Sequence, residues 1–363
     1  MEIQKLKDIC LTEITDGTHQ TPTYSEYGYI FLSSKNVTTQ KIDWDNVMFI
    51  PEKLHEELYK RVAPQIDDIL LAKNGTTGVA AIVDRDIVFD IYVSLALIRP
   101  NTEIVMPRYL LYAINNPVVK GYFDSSLKGI GVPNLHLKNI RETPIKIYDL
   151  ETQKAIVEKL DKVCELISLR KQQLAKLDEL VKARFVEMFG DPIGNTKNLP
   201  VTKFVDVVKM QRGFDLPVQE RKSDGMIPVY GSNGVLGYHD ISKVKGGGVI
   251  TGRSGTIGKV FYEKGEFWPL NTTLFSLNSH GNDVVYLKYL LELFDLSRFT
   301  EGTGVPTLNR NKFHDELIID VPLDEQERFA AFVERVDQQK QTVQQSLEKL
   351  ELMKKALMQE YFG

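Results

Sequence analysis

The chain contains the same sequence pattern twice. "GVPNL" at 131–135 returns as "GVPTL" at 304–308, and the offset of 173 residues then holds without a gap to the end, where Phe189-Gly190 corresponds to Phe362-Gly363. A register kept over about sixty residues indicates an internal repeat, which constrains the architecture more than any other feature. The sequence therefore predicts two copies of one unit, each a globular part followed by a segment that ends in Phe-Gly.

A glycine-rich loop is repeated as well. Gly75 and Gly78 of "AKNGTTGVA" lie 180 residues before Gly255 and Gly258 of "GRSGTIGKV", and apolar runs flank both copies. Apolar, β-branched runs on either side of a Gly-containing turn are typical of a hairpin. The element that repeats is therefore a strand, a basic residue, a small polar residue, a Gly-Thr turn and a second strand.

The second copy of this loop, "TGRSGTIGK" at 251–259, is only superficially similar to a nucleotide-binding loop. Such a loop reads G-x-x-x-x-G-K-[S/T] and enters a helix. Here Gly258 follows Gly252 by six residues instead of five, and Val260 stands where the hydroxyl for Mg²⁺ belongs. The next residues, "VFYEKGEFW", favour a strand. The first copy has Val79 where the second has Lys259, so the lysine is not part of the repeat.

The two closing segments have the pattern of long helices. Residues 151–189 contain neither Pro nor Gly, and apolar residues recur at alternating spacings of three and four, as in the seam of a coiled coil. The seam consists of Ile156, Leu160, Val163, Ile167, Leu174, Leu177 and Val181 in the first copy and Phe329, Val333, Val336, Val343, Leu347 and Leu350 in the second, interrupted by Arg170, Lys340 and Lys354. We predict that the two helices pair as an antiparallel coiled coil; the alternative is that each packs on its own globular part.

The globular parts are predicted to be mixed α/β (α+β). Short apolar runs such as "ILLA" and "SLALIRP" are broken by turn residues and favour strands, while "PRYLLYAINN" and "VVYLKYLLELF" favour short helices at equivalent positions. The predicted organisation is a first globular domain over residues 1–150, a central long helix over 151–190, a second globular domain over 191–322 and a C-terminal long helix over 323–363.

Composition sets further limits. The net charge is −4, residues 1–150 carry 16 basic and 19 acidic side chains, and residues 191–322 carry 15 of each, which argues against a nonspecific nucleic-acid binder. A local basic surface on an acidic chain is still compatible with specific binding. The N-terminus lacks the apolar core of a signal peptide, and the two cysteines, Cys10 and Cys164, suit a reducing compartment, so we expect a cytoplasmic protein.

In the order of these features the chain resembles the DNA-specificity (S) subunit of type I restriction–modification systems. The resemblance is carried by the doubled "ILLAKNGTTG" and "GVITGRSGTIG", the doubled "GxGVPxL", the helix openings "LETQ" and "LDEQ", and the two heptad helices. It covers essentially the whole chain. Each motif alone is weakly specific, but their duplicated order is strongly specific.

The resemblance implies a function in DNA recognition. Each globular part would read one half of a split, asymmetric DNA site, while the helices would set the distance between the halves and dock two methyltransferase subunits. With these the chain would form an adenine methyltransferase that uses S-adenosylmethionine, and with translocase–nuclease subunits it would form an ATP- and Mg²⁺-dependent restriction enzyme. The S subunit itself would carry no catalytic residues and no cofactor. In agreement, the sequence shows no N-P-P-F-type tetrapeptide and no H-E-x-x-H or C-x-x-C spacing.

The residues expected to contact DNA lie in the loops. Basic side chains can reach guanine O6/N7 or a phosphate, and small polar side chains beside glycine-freed amides suit phosphate contacts. The first choices are Lys73 and Arg253, followed by Asn74, Thr76, Ser254 and Thr256 of the repeated loop. Further candidates from segments that differ between the copies are His19, Tyr24, Lys35, Asn36, Arg212, Tyr230 and Asn233. The "GVPNLHLKN" and "GVPTLNRNK" segments either contact DNA through Lys138 or Arg310 or connect structural elements.

Two other hypotheses belong to different classes. The chain could be a coiled-coil scaffold that carries two protein-binding domains, which predicts no sequence-specific retention of DNA. It could also be a nucleotide-dependent enzyme that uses "GRSGTIGK", which predicts ATP binding that Lys259→Ala abolishes. DNA recognition predicts that this chain binds no ATP.

Overall fold

The computed structural model describes residues 1–127, 134–222, 224–302 and 306–363. The chain forms two compact units: the first comprises residues 1–169 and 347–363, and the second comprises residues 170–346. These units differ from the predicted boundaries because each long helix contributes part of its length to both units, whereas the prediction gave each helix a segment of its own.

The described residues of the first unit form nine strands in three sheets. The strands are β1 Glu2–Lys5, β2 Thr15–Asp16, β3 Tyr29–Leu32, β4 Met48–Ile50, β5 Ile69–Ala72, β6 Ala80–Ile82, β7 Phe89–Ile91, β8 Leu95–Ile98 and β9 Pro144–Ile147. The helices are α1 Glu52–Tyr59, α2 Pro107–Ile114, α3 Pro117–Ser126, α4 Leu137–Arg141 and the start of α5 Leu150–Phe189, with 3₁₀ turns at Leu6–Ile9 and Ser34–Asn36. The sheet orders are β1-β9, β2-β8-β5-β6 and β4-β3-β7, of which only the pair β3–β7 is parallel among the described strands.

The second unit repeats this arrangement. Its strands are β10 Val201–Lys203, β11 Lys209–Arg212, β12 Ile227–Gly231, β13 Gly234–His239, β14 Gly248–Gly252, β15 Val260–Glu263, β16 Trp268–Pro269, β17 Thr273–Asn278, β18 Thr300–Glu301, β19 Thr307–Leu308 and β20 Leu317–Ile319. Its helices are α6 Phe204–Val207, α7 Val284–Leu293 and α8 Leu323–Phe362, with 3₁₀ turns at Val218–Glu220, Leu296–Phe299 and Arg310–Lys312. The orders β10-β20, β11-β17-β14-β15 and β13-β12-β16 reproduce the first unit's three sheets, and β18-β19 is additional. The predicted duplication and the mixed α/β class are confirmed.

The central strand β5 shows why an unbroken apolar run forms a strand here. Side chains alternate between the two faces of a strand. Ile69 and Leu71 belong to the core that includes α2, whereas Leu70 and Ala72 belong to a second core with Phe89 of the three-stranded sheet. All four side chains are fully buried. Because each buried Leu or Ile contributes about 1.5–3 kcal/mol relative to exposure, the four-stranded sheet is a rigid support for the loops at its edge.

Most seam residues of the long helices are buried, as the heptad pattern predicts, whereas Ile167, Leu174, Leu177 and Leu350 are half-buried. The two helices are antiparallel within each unit. In the second unit Phe189 at the end of α5 contacts Phe329 near the start of α8, with ring centroids 5.8 Å apart. In the first unit Lys159 near the start of α5 donates to the hydroxyl of Tyr361 at the end of α8, at 3.3 Å. Each of these contacts joins the beginning of one helix to the end of the other.

One interruption of the seam has a clear role. The ammonium group of Lys340 lies 2.6 Å from Asp178 on α5 and 3.5 Å from Asp337 one turn away on α8. A charged side chain at a seam position fixes the register of paired helices, because any slip separates it from its partner. None of the described helices is both long and apolar enough to cross a membrane.

Candidate nucleic-acid interface

The two glycine-rich loops have the same backbone conformation. Gly75 and Gly78 have φ of +74° and +80°, and Gly255 and Gly258 have φ of +86° and +92°. These values lie in the left-handed region, which glycine adopts without strain. Each loop closes an antiparallel pair, β5–β6 in the first unit and β14–β15 in the second. The predicted hairpins are confirmed.

Each loop is bound to the segment that follows the "GVP" motif. Asn74 pairs with Asn134 and Ser254 pairs with Thr307 in isolated antiparallel bridges. Residues 128–133 and 303–305, which contain the first "GVP" and the Gly and Val of the second, lie outside the described part of the chain. Since the following Leu135 and Leu308 are buried, the described part of these segments ties the loop to the core, as the connector interpretation predicted.

A second segment borders each loop. A Cβ atom on Gly75 would lie 3.8 Å from Oγ of Ser34, and one on Gly255 would lie 3.4 Å from Oγ of Ser232. Ser34 opens the 3₁₀ turn that contains Lys35, and Ser232 lies in the turn between β12 and β13 that contains Asn233. The structure therefore brings together, in each unit, the segments that the sequence had singled out separately.

The exposure of the candidates divides them into two groups. Exposed or half-buried in the first unit are His19, Tyr24, Lys35, Asn74 and Thr76, and in the second unit Arg212, Asn233, Arg253, Ser254 and Thr256. The side chain of His19 is 71% exposed. These ten side chains are available to a ligand, whereas the three that remain are buried.

Lys73, the first choice in the first unit, is not on the surface. Its side chain is buried and its ammonium group forms an ion pair with the equally buried Asp16. Asp16 also lies 3.3 Å from Nε2 of His19, and Arg61 donates to the carbonyl oxygens of Asp16 and Gly17. The prediction that Lys73 contacts DNA directly is therefore corrected. In this structure its ion pair with Asp16 holds strand β2 to the loop.

Asn36 and Tyr230 are also buried and support their loops. Asn36 closes a capping box with Ser33, and its side-chain amide donates to the carbonyl oxygens of Asp43 and Asn46 at 3.3 and 2.9 Å. Tyr230 donates to Glu263 at 3.2 Å, and burial together with that carboxylate raises the pKa of the Tyr230 hydroxyl. Both side chains are occupied by intramolecular bonds, so their predicted base contacts are replaced by a positioning role.

The residue that the sequence interpretation missed is Asp16. It belongs to the "DGT" at the start of the segment that includes His19, but an isolated acidic residue gives no sign of a partner 57 positions away. Only the order of strands β2, β8 and β5 brings Asp16 to Lys73.

The second loop does not have the geometry of a nucleotide site. β14 is followed by the antiparallel strand β15, so the helix N-terminus that would bind phosphates is replaced by a hairpin. Lys259 is exposed and its ammonium group lies 3.3 Å from Oδ1 of Asn233. Across the described ranges, three or more His, Cys, Asp or Glu side chains nowhere cluster as metal ligands.

Comparison with known proteins identifies the family. A family model described as the type I restriction modification DNA specificity domain matches residues 1–179 and again residues 197–352. The chain belongs to this family. The specificity subunit of the type I restriction enzyme EcoBI from Escherichia coli is 25% identical over 158 residues, which are 42% of this chain and 33% of that protein. The specificity subunit of the enzyme MjaVIII from Methanocaldococcus jannaschii is 25% identical over 187 residues, 50% of this chain and 43% of that protein.

The chain thus spans less than half the length of these two curated relatives, but it matches solved structures along its whole length. The S subunit of a type I restriction–modification system from M. genitalium has a TM-score of 0.63 at 13% identity, covering 100% of this chain and 96% of that one. A chain from a structure on the complex assembly and conformational transition of a type I system has a TM-score of 0.60 at 17% identity, covering 99% and 97%. The specificity-subunit fold with two similar domains is confirmed.

Proposed function

We propose that this chain is the DNA sequence-recognition subunit of a type I restriction–modification complex, and that each unit reads one half of a bipartite, asymmetric site. The observation that carries the proposal is that the same scaffold occurs twice with different exposed side chains at its edge. The first unit presents His19, Lys35 and Thr76, and the second presents Arg212 and Asn233. Equivalent scaffolds with different polar groups suit two different half-sites.

The chemistry of these side chains fits base and phosphate contacts. Arg can donate two parallel hydrogen bonds to guanine, and Asn can both donate to and accept from adenine. Small hydroxyls and backbone amides at glycine-rich turns suit phosphate oxygens. Thr76, Ser254 and Thr256 occupy the turns and are proposed to contact the DNA backbone, whereas Asn233 is proposed to reach into a groove.

The long helices are proposed to separate the two recognition units and to bind the partner subunits. Leu169 on α5 and Leu352 on α8 are 51% and 67% exposed, and we propose that these apolar side chains take part in the contacts with the partner subunits. The proposed partners are two methyltransferase subunits, which would bind S-adenosylmethionine, and translocase–nuclease subunits, which would use ATP and Mg²⁺. This chain would be noncatalytic and would act in the cytoplasm. Family membership favours this proposal over a scaffold with two protein-binding domains.

A selection experiment tests the proposal. The chain and its cognate methyltransferase subunit are incubated with a library of randomised DNA duplexes at about 150 mM salt, and retained duplexes are sequenced. We expect a motif in two parts with a fixed gap. Asn233→Ala should relax the preference in one part only, and Thr76→Ala should weaken retention without changing the motif. Retained duplexes that share no motif, from a complex that copurifies intact, would support the scaffold instead.

A further inference from the structure

The first strands of the two four-stranded sheets can be aligned residue by residue. Asp16 at the end of β2 pairs with Ala96 on β8, and Arg212 at the end of β11 pairs with Leu274 on β17. β8 and β17 are the second strands of equivalent sheets. Asp16 of the first unit therefore occupies the position that Arg212 has in the second.

The next residue fixes this alignment. Gly17 and Gly213 follow directly, and a Cβ atom would lie 1.9 Å from the carbonyl oxygen of Ile91 in the first case and 2.2 Å from that of Leu270 in the second. Neither position accepts a side chain, because a backbone carbonyl cannot move aside. The close approach occurs at the same point of both sheets, so "Asp-Gly" and "Arg-Gly" are equivalent pairs.

The basic residues of the two loops are equivalent by the same criterion. The amide of Lys73 donates to the carbonyl oxygen of Ser94, and the amide of Arg253 donates to that of Thr272, both at 2.8 Å. Ser94 and Thr272 directly precede β8 and β17. Lys73 and Arg253 thus leave the backbone at equivalent places. Lys73 contacts Asp16 at the end of β2, and Arg253 follows the strand equivalent to β5 in the sheet whose first strand ends at Arg212.

The charges at these two positions differ between the units. In the first unit Asp16 and Lys73 are buried and neutralise each other. In the second unit both positions carry arginine. Arg212 is exposed, and within the described residues neither arginine forms an ion pair; Arg253 donates to the carbonyl oxygen of Asn271 at 3.3 Å. Asp215, three residues after Arg212, accepts a hydrogen bond from the Asn271 side chain.

In the first unit these two positions are close enough for an ion pair. Two guanidinium groups at the equivalent positions of the second unit repel each other unless an anion lies between them. Arginine is also the side chain best suited to bind a phosphate through parallel hydrogen bonds. We infer that Arg212 and Arg253 together bind one backbone phosphate of the DNA. The first unit has no such site because Asp16 already forms an ion pair with Lys73. The inference rests on the proposed function and adds that the two half-sites are bound with unequal electrostatic strength.

The consequence is an asymmetry in salt dependence. Each phosphate contact by a cation contributes about one counterion to the slope of log affinity against log salt concentration. The second unit would supply the larger, salt-sensitive share of the affinity. In the first unit that share falls to the exposed Lys35, whose neighbour Ser34 borders the equivalent loop.

The test uses the complex of the full chain with its methyltransferase subunit. Its affinity for a fluorescein-labelled duplex that carries the selected site is measured from about 50 to 250 mM KCl. The variants are Arg212→Gln, Arg253→Gln and Arg212→Asp, with Lys209→Gln as the control. Lys209 is an exposed cation at the opposite end of the same strand, so its substitution removes the same charge elsewhere. Thermal unfolding followed by circular dichroism checks that each variant is folded.

We expect each glutamine variant to weaken binding about tenfold on every DNA sequence and to reduce the salt slope by about one. Arg212→Asp should weaken binding at least as much but reduce the slope by no more than about one, the whole of one phosphate contact, because the new carboxylate would pair with Arg253 as Asp16 pairs with Lys73. Lys209→Gln should change neither quantity. Unchanged affinity and slope in all three arginine variants, with site-specific binding by the unmodified complex, would overturn the inference alone. A loss limited to one base pair at an unchanged slope would also overturn it, since that indicates a guanine contact. Absence of site-specific binding by the unmodified complex would overturn the proposed function as well.

Discussion

The buried ion pair between Lys73 and Asp16 makes a specific prediction for Lys73→Met. The substitution keeps most of the side-chain volume and removes the charge, so Asp16 is left buried with His19, at 3.3 Å, as its remaining ionisable contact. Removing one partner of a buried ion pair costs about 3–5 kcal/mol. Because His19 still offers a hydrogen bond, we expect a loss near the lower end, about 3 kcal/mol in the free energy of unfolding of the first unit.

Tryptophan fluorescence can isolate this effect. The sequence has two tryptophans: Trp44 is buried in the first unit and donates to Asp84 at 2.8 Å, and Trp268 is buried in the second. In a Trp268→Phe background, urea unfolding followed through Trp44 reports on the first unit alone. A loss of about 3 kcal/mol in a unit of this size corresponds to a fall in melting temperature of roughly 10 °C.

A matched double variant separates the structural role from DNA binding. Asp16→Asn combined with Lys73→Met removes both charges and should recover most of the stability, with a coupling energy of at least about 2 kcal/mol. The double variant should also bind DNA with unchanged affinity, because Lys73 does not reach the surface. A loss below about 1 kcal/mol in Lys73→Met would refute the structural role. Normal stability with weakened DNA binding in the double variant would show that Lys73 contacts DNA.

Three further predictions concern the loop, the seam and a thiol. Gly75→Val should destabilise the first unit by roughly 1–2 kcal/mol, because φ is +74°. The control Gly121→Ala, in α3 with free space around it, should be neutral or slightly stabilising. Urea unfolding followed through Trp44 fluorescence measures both. Lys340→Met should leave the second unit equally stable or up to about 1 kcal/mol more stable, because Asp178 is 59% exposed and its carboxylate can be solvated without Lys340. Urea unfolding followed through Trp268 in a Trp44→Phe background measures this. Burial raises the pKa of the Cys10 thiol to about 12, so at pH 8 the group remains a protonated thiol; mass spectrometry should show alkylation by iodoacetamide at Cys10 only after unfolding.

The architecture could be predicted because its signals are local or periodic. The register between the two copies of "GVPxL" and the heptad seam from Ile156 to Val181 require only the linear sequence. The glycines of the repeated loop likewise indicate a turn by themselves, because tight turns often require a positive φ and glycine adopts it without strain. These features determined the duplicated fold and the paired helices, and the strand after Lys259 excluded the nucleotide loop.

The fate of individual side chains could not be predicted in the same way. Lys73 and Arg253 are equivalent in sequence, but one is buried and the other is half-buried. The difference arises from Asp16 and Arg212 on the neighbouring strands, and the pairing of those strands is set by sheet topology. Asn36 and Tyr230 are polar residues near turns. Only the tertiary structure shows that the Asn36 amide donates to Asp43 and Asn46. The Tyr230 hydroxyl likewise donates to Glu263.

The most direct test of the central claim is a map of methylated adenines. The chain is co-expressed with its cognate methyltransferase subunit in a host that lacks other adenine methylation, and every methyladenine is located by sequencing. The account predicts a motif in two parts with a fixed gap, which disappears when this chain is omitted and which loses its preference in one part when Asn233 is replaced by Ala. Methylation that is absent despite a soluble, copurified complex, or that is unchanged when the chain is omitted, would contradict it.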